Sequence, residues 1–216
     1  LAETLGAPVL TGQVWMNFPT DHPLCLGIEQ IGGSRKPNPG IAEADVILVI
    51  DYDMPYVGGD GMPAPEAKIV HIDVDPLTNG RLLWERGADL FIRADSREAV
   101  PTLEQLLQQR ITPQRSAELQ ERRRRLEAAH QETRREWRAL AQSQRAQGPI
   151  SPDWLCYCVN QLIDDETIVV NHTLSHCASV TEQIERTEPG TLFGCPAGAI
   201  GWAMGASLGV KAAAPE

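Results

Sequence analysis

Two segments near the end of this 216-residue chain carry residue types that could bind a phosphate or diphosphate group. Residues 171–176 place an asparagine, two hydroxyl side chains and two histidines after a short apolar run. Residues 194–205 form a glycine-rich loop that leads into a predicted helix. Glycine lets the backbone approach an oxyanion, and a helix N-terminus offers unpaired N–H groups. The alternative interpretation, which applies to most glycines at a helix start, is that they allow a helix to pack closely against its neighbours. Gly205 and Gly209 also fit this interpretation.

The elements that must position these segments are predicted to be parallel strands alternating with helices. Residues 46–50 and 68–73 are nearly continuous apolar runs, typical of strands covered on both faces. Further predictions are strands at 8–11, 89–93 and 167–170, a loop-rich stretch at 12–40, a helical turn at 41–45, and helices at 1–6, 96–109, 151–162, near Val180 and at 199–213. Ser96 and Ser151 are the predicted N-caps of their helices. We therefore predict an α/β fold, a doubly wound parallel sheet joined by a long helix to a partial second α/β domain.

Residues 115–146 differ sharply from the rest of the chain, with nine arginines against five glutamates. The run of four arginines at 122–125 could in principle contact nucleic acid. The whole chain, however, carries a formal charge of −10, which disfavours nucleic acid and anionic membranes as partners. We interpret 115–146 as a solvated linker helix with Glu–Arg pairs four residues apart.

The cysteine pattern indicates a reducing compartment. The five cysteines, at positions 25, 156, 158, 177 and 195, are odd in number and form no pair of CxxC motifs. We therefore expect reduced thiols and a cytoplasmic protein. No apolar run reaches the roughly 18 residues that span a bilayer, and no signal-peptide pattern is visible, so we expect no membrane partner.

The order of several short segments along the chain resembles a known family. They are His22–Gly27 after a Phe-Pro pair, Ala44-Asp45 ahead of the strand at 46–50, residues 67–76, Asn171 with the hydroxyls of Thr173 and Ser175, residues 187–190 and residues 198–202. In this order they resemble the thiamine-diphosphate-dependent enzymes, most closely the acetolactate synthase and benzoylformate decarboxylase group.

The resemblance implies a central domain at 1–112, the arginine-rich linker helix at 113–148 and the start of a diphosphate-binding domain at 149–216. It implies thiamine diphosphate and Mg²⁺ as cofactors, and a 2-oxo acid that is decarboxylated or joined to a second carbonyl compound. The family's metal motif and activating glutamate have no match in these residues. We therefore expect a fragment, truncated at both ends and inactive alone, of a parent that is a homodimer or homotetramer.

The same resemblance implies which residues contact the cofactor. Loop hydroxyls touch the diphosphate, with Ser175 the best match. Ile200 would be the bulky apolar group under the thiazolium ring; its alternative is an ordinary core isoleucine. His172 stands where many relatives have glutamate, and would be a substrate-facing group or a loop histidine. The predicted cofactor-binding residues are Asn171, Thr173, Ser175, His176, Gly198, Ile200 and Gly201, with no catalytic residue or metal ligand among them.

Some relatives hold FAD in the central domain, but two carboxylates at a strand end disfavour it here. Asp51 and Asp53 stand where the diphosphate would lie and would repel it, so we expect no FAD. Asp73 and Asp75 could contact a ribose, although strand-end aspartates more often cap the next turn. There are two alternatives to an enzyme fragment. One is a stand-alone nucleotide-binding module, but such a module needs a glycine-rich turn directly after its first strand, and this sequence has none. The other is a non-catalytic assembly or regulatory subunit.

Overall fold

The computed structural model describes residues 1–12, 14, 16–28, 39–52, 62–77, 87–146, 148–195 and 199–215. In chain order the elements are α1 (Ala2–Leu5), β1 (Val9–Thr11), β2 (Cys25–Ile28), α2 (Pro39–Ala42), β3 (Val46–Ile50), β4 (Lys68–Asp73), β5 (Leu90–Arg93), α3 (Ser96–Gln108), α4 (Pro113–Ser143), α5 (Pro152–Asn160), β6 (Val169–Asn171), α6 (Cys177–Gln183), β7 (Leu192–Gly194) and α7 (Trp202–Ala213). No helix in these ranges combines the length and apolar character needed to cross a bilayer.

The chain divides into two compact units. Unit 1 contains residues 1–7 and 36–123, and unit 2 contains residues 8–35 and 124–216. Each unit is therefore built from two separate stretches of chain. The division into domains at 1–112, 113–148 and 149–216 stays a prediction.

Unit 1 is built on a parallel sheet in the order β3-β4-β5. The predicted bounds of β3 and β4 agree with the structure, because unbroken β-branched runs are a strong strand signal. Ile72 is 2% exposed and Val49 is also buried, so the sheet has a core. Val46 and Leu90 are exposed, so the expected burial on both faces is not complete among the described residues.

Helix α3 follows the sheet and is capped by Asp95, not by Ser96 as the sequence predicted. The Arg97 N–H donates to Asp95 Oδ1 at 2.9 Å. The Ser96 hydroxyl instead donates to the Asp51 carboxylate, since Ser96 is already the first helical residue. Two capping residue types stand side by side here, and the sequence alone did not separate them.

We expect Asp95→Ala to lower the free energy of unfolding by about 1 kcal/mol, the usual cost of losing an N-cap. Asp95→Asn keeps a side-chain oxygen for the Arg97 N–H and should stay close to the original stability. Urea unfolding measures both. An Asp95→Ala protein as stable as Asp95→Asn would show that this cap contributes nothing.

The start of α4 packs against the end of α1 within unit 1. Gly6 closes α1 with φ 55°, as the sequence predicted, and a Cβ built there would lie 2.8 Å from the Leu119 carbonyl oxygen. Arg122 Nη2 donates to the Leu5 carbonyl at 2.7 Å. The contact between these helices therefore leaves no room for a side chain at position 6.

Unit 2 contains two parallel strand pairs, β1-β2 and β6-β7. Strand β2 lies inside the stretch predicted to be loop, which is a correction. It has four residues, and Gly27 with φ 110° masks its apolar pattern. The segment before it also pairs far along the chain, since Thr20 N–H donates to the Arg186 carbonyl at 2.9 Å. Arg186 itself is 1% exposed, and its Nη2 donates to the Asp164 carbonyl at 2.6 Å.

Helix α4 is 31 residues long, but it is not only a solvated linker. Leu119, Arg134 and Ala141 are buried along it. Two ion pairs within the helix, Arg115–Glu118 at 2.8 Å and Glu132–Arg135, join residues three apart. Other arginines reach across the fold, and both Arg134 and Arg138 contact Glu185.

The end of α5 and the start of α7 differ from the predictions. Ser151 caps α5 and proline follows it, as predicted, but α5 ends at Asn160 instead of 162. Helix α7 begins three residues later than predicted, because Gly201 adopts φ 92° just before it. The predicted helix near Val180 is α6. The strand pairs among the described residues are all parallel and occur in a chain that also contains helices, which confirms the α/β class.

Candidate functional site

The two segments with phosphate-binding character leave the same sheet edge in unit 2. Asn171, the last residue of β6, lies opposite Gly194, the last residue of β7. Because the strands are parallel, the loops that follow them begin side by side. The carboxyl edge of a parallel sheet is where α/β proteins bind ligands. The structure therefore brings the two segments together.

Asn171 organises the first loop. Its Oδ1 accepts the Thr173 N–H at 3.0 Å and the Thr173 hydroxyl at 2.7 Å. The hydroxyl proton of Thr173 is therefore engaged inside the loop. Ser175 and His176 are exposed and precede α6. This geometry leaves Ser175 and His176 as the outward-facing polar groups, with Asn171 and Thr173 holding the turn.

The thiol next to this loop is not a nucleophile. Cys177 is buried, and this burial raises the pKa of its thiol, with only partial compensation from a hydrogen bond to Asn171. A thiol with a raised pKa stays protonated near neutral pH. All five cysteines are free thiols, as the sequence predicted.

The second segment presents Ile200 and Gly201. Ile200 is 98% exposed, so it is not the core isoleucine that was the alternative interpretation. Gly201 has φ 92°, and a Cβ there would meet no described atom within 4 Å. This turn therefore has open space beside its backbone. Gly198 lies outside the described residues.

Close helix packing does not account for the glycines of α7. A Cβ at Gly205 or Gly209 would also meet no described atom within 4 Å. Met204 and Leu208 are 78% and 75% exposed. The packing explanation for these glycines therefore finds no neighbour in the part of the chain that the structure describes.

A ring contact joins the two segments. The imidazole of His172 packs edge-on against the indole of Trp202, with ring centroids 5.9 Å apart and an angle of 80° between planes. Both side chains are half-buried. The sequence left His172 as a substrate-facing or loop histidine and did not single out Trp202. The available signal was its position directly after Gly201, at the start of α7.

Carboxylates gather at the corresponding edge of the sheet in unit 1. A pocket of about 410 Å³ is lined by Asp51, Asp73, Val74, Asp95, Ser96 and Arg97. Asp51 has φ 47°, which is uncommon for a residue with a side chain. Asp73 Oδ1 accepts the Asp75 N–H at 2.7 Å, so Asp73 caps the next turn as the sequence favoured. Asp53 lies outside the described residues.

The described side chains do not assemble a metal site. Over the ranges given above, no three His, Cys, Asp or Glu side chains are grouped in a way that could hold a metal ion.

Comparison with known sequences identifies the first half of the chain. Residues 1–106 match the family model of the thiamine pyrophosphate enzyme central domain. The chain is 36% identical over 106 residues to a probable acetolactate synthase large subunit of Methanocaldococcus jannaschii, covering 48% of this chain and 17% of that protein. It is 28% identical over 218 residues to acetolactate synthase 1, chloroplastic, of Oryza sativa, covering 99% of this chain and 32% of that protein. Nearly the whole chain therefore aligns with the rice protein, but it spans only about a third of that protein's length.

Comparison with solved structures extends the fold to the whole chain. A thiamine diphosphate-dependent 4-hydroxybenzoylformate decarboxylase of Rhodococcus jostii superposes with a TM-score of 0.62 at 18% identity, over 100% of this chain and 37% of that one. Benzoylformate decarboxylase of Polynucleobacter necessarius gives 0.63 at 17% identity, over 97% and 36%. These likenesses confirm the doubly wound α/β fold. The match over residues 1–106 identifies that half as a thiamine pyrophosphate enzyme central domain, and the acetolactate synthase relatives support assigning the chain to the thiamine-diphosphate-dependent enzymes.

Proposed function

We propose that this chain is part of a thiamine-diphosphate- and Mg²⁺-dependent 2-oxo acid decarboxylase or carboligase similar to acetolactate synthase, and that residues 1–216 alone are inactive. The observation that carries the proposal is the β6-β7 pair. Its register places the Asn171 loop and the Gly201 turn at one sheet edge, where a diphosphate would be held. The alternatives of a nucleotide-binding or assembly module have no support from the comparisons.

The residues at this edge fit thiamine diphosphate. The exposed hydroxyl of Ser175, with His176 beside it, can donate hydrogen bonds to phosphate oxygens. Gly201 leaves its backbone open to a close approach, and Ile200 is exposed enough to lie against an apolar ring. The cofactor would supply an electron sink for cleaving the carbon–carbon bond of a 2-oxo acid. The proposed roles of Asn171 and Thr173 are to hold the loop in shape.

The remaining parts of the proposal concern other ligands and the assembly. Mg²⁺ would be bound through residues outside 1–216. FAD would not bind in unit 1, because Asp51 and Asp73 line the pocket at the strand ends and oppose a diphosphate. The five free thiols suit a reducing compartment such as the cytoplasm. The full-length enzyme would be a homodimer or homotetramer.

Binding of thiamine diphosphate to the full-length protein tests this function. With Mg²⁺ present, cofactor at 100 times its Kd should stabilise the fold by about 2.7 kcal/mol and raise Tm. Ser175→Ala should raise Kd about tenfold, because a hydrogen bond to a charged oxygen is lost. Ser207→Ala, at an exposed serine on α7, is the matched control and should leave Kd unchanged. A Tm that does not move at saturating cofactor would contradict the proposal.

A further inference from the structure

We propose that His172 is a positioning residue, whose ring contact with Trp202 fixes the distance between the Asn171 loop and the Gly201 turn. The inference rests on the proposed function, since these two segments are the proposed cofactor site. In this role His172 does not contact substrate, and it is more than a loop histidine without a function. The pairing with Trp202 gives the imidazole a role in the shape of the site.

The first loop is anchored at its two ends, at Asn171 in β6 and at the buried Cys177 that begins α6, and less so between them. Asn171 is fixed by strand pairing and by its bonds to Thr173. The four residues 173–176 are all exposed. Between Asn171 and this exposed stretch, His172 is the half-buried residue that faces another element.

The second segment is held no more tightly. Helix α7 has no fully buried side chain, and Ile200 is 98% exposed. Gly201 contributes no side chain to pack. Trp202, half-buried at the first position of α7, therefore anchors this turn through its contact with His172.

The geometry of the pair suits a spacer. Aromatic rings at 5.9 Å and 80° lie within the favoured edge-to-face range, in which a ring edge meets the π face of its neighbour. The strand register sets where the two loops begin, whereas the ring pair sets the separation between His172, one residue beyond β6, and Trp202 at the start of α7. A loss of either ring would let the two segments separate and weaken their joint hold on an anion.

The test measures the Kd for thiamine diphosphate, with Mg²⁺, by titration calorimetry on the full-length protein. His172→Ala and Trp202→Ala should each raise Kd three- to tenfold, and the double variant should be no weaker than the weaker single variant. His172→Phe keeps an edge-to-face ring and should return Kd to within twofold of the original. Tyr157→Ala removes a ring contact with Trp154 on α5, 5.4 Å between centroids, and should leave Kd unchanged.

Several outcomes would overturn the positioning role. Additive losses in the double variant would mean that the two rings act separately. A His172→Phe protein as weak as His172→Ala would mean that the imidazole nitrogens are required. If Trp202→Ala does not fold, Trp202→Leu replaces it, because leucine keeps apolar bulk without a ring, and a Kd unchanged there beside a tenfold loss in His172→Ala would also count against the pair. A wild-type protein that binds no thiamine diphosphate overturns the proposed function instead, which separates the two failures.

Discussion

Replacing Glu185 with glutamine is expected to lower the free energy of unfolding by about 2 kcal/mol at neutral pH. This is a large effect for a substitution that keeps the shape of the side chain and removes only its charge. The Glu185 carboxylate accepts hydrogen bonds from Arg134 and from Arg138, the latter at 2.6 Å. Arg134 is only 7% exposed, and its guanidinium lies 5.5 Å from the centre of the Trp137 ring. Glutamine leaves that buried cation without its countercharge. Urea unfolding at pH 7 measures the loss.

The same prediction carries a pH dependence with a defined sign. Burial by itself would raise the pKa of Glu185, but the hydrogen bonds and charges of Arg134 and Arg138 outweigh it and hold the pKa below its ordinary value. A lowered folded-state pKa adds stability above the unfolded pKa, near 4.3, and this stability is lost as the pH falls through the folded value. The difference between the original protein and Glu185→Gln should therefore shrink below about pH 4.

Glu132→Gln is the matched control for this effect. Glu132 pairs with Arg135 on α4, and the two side chains are 58% and 70% exposed. Exposed pairs of this kind contribute little, so no measurable change is expected. If Glu132→Gln and Glu185→Gln were equally destabilising, burial of Arg134 would not be the cause.

Gly6→Ala is expected to cost about 3 kcal/mol, for two separate reasons. At φ 55° an alanine is strained, and its Cβ would lie 2.8 Å from the Leu119 carbonyl oxygen and 3.1 Å from Arg123 Cγ. The nearer atom belongs to the backbone of α4, so it cannot turn aside. The free energy of unfolding in urea gives the value.

Substitutions at two other glycines distinguish the strain of a positive φ from the steric clash with α4. Gly190 has φ 81° but open space around its Cβ position, so Gly190→Ala should cost only about 1 kcal/mol. Gly209 lies inside α7 with open space, so Gly209→Ala should stabilise by up to about 1 kcal/mol. A Gly6→Ala loss no larger than that of Gly190→Ala would mean that the helices separate freely.

Local sequence patterns predicted the strands and helices whose signals are continuous. Strands β3 and β4 agree with their predicted bounds because their apolar runs are unbroken. Strand β2 was missed because it has only four residues, one of them Gly27, and it is a strand only through its pairing with β1. The late start of α7 depends on the backbone angle of Gly201, which the residue type permits but does not dictate.

The candidate site was predictable in its parts but not in its contacts. Residue types alone marked the Asn171 loop and the glycine-rich turn, and parallel strands bring them to one edge. The contact of His172 with Trp202 joins residues 30 positions apart, and it depends on how α7 lies against β6. The same is true of Arg134 and Glu185, whose pairing across 51 positions left no local trace in the sequence.

The two-part construction of unit 2 sets an order on its folding during protein synthesis. The pairing of Thr20 with Arg186 spans 166 positions, and Val14 likewise bonds to Gly194. At about 5 to 20 residues per second, residues 8–35 leave the ribosome roughly 10 to 30 s before their partners exist. Through that interval β1 and β2 can pair with each other but not with residues 186 and 194, while unit 1 is being synthesised. The unit with the proposed cofactor site is thus the last to close.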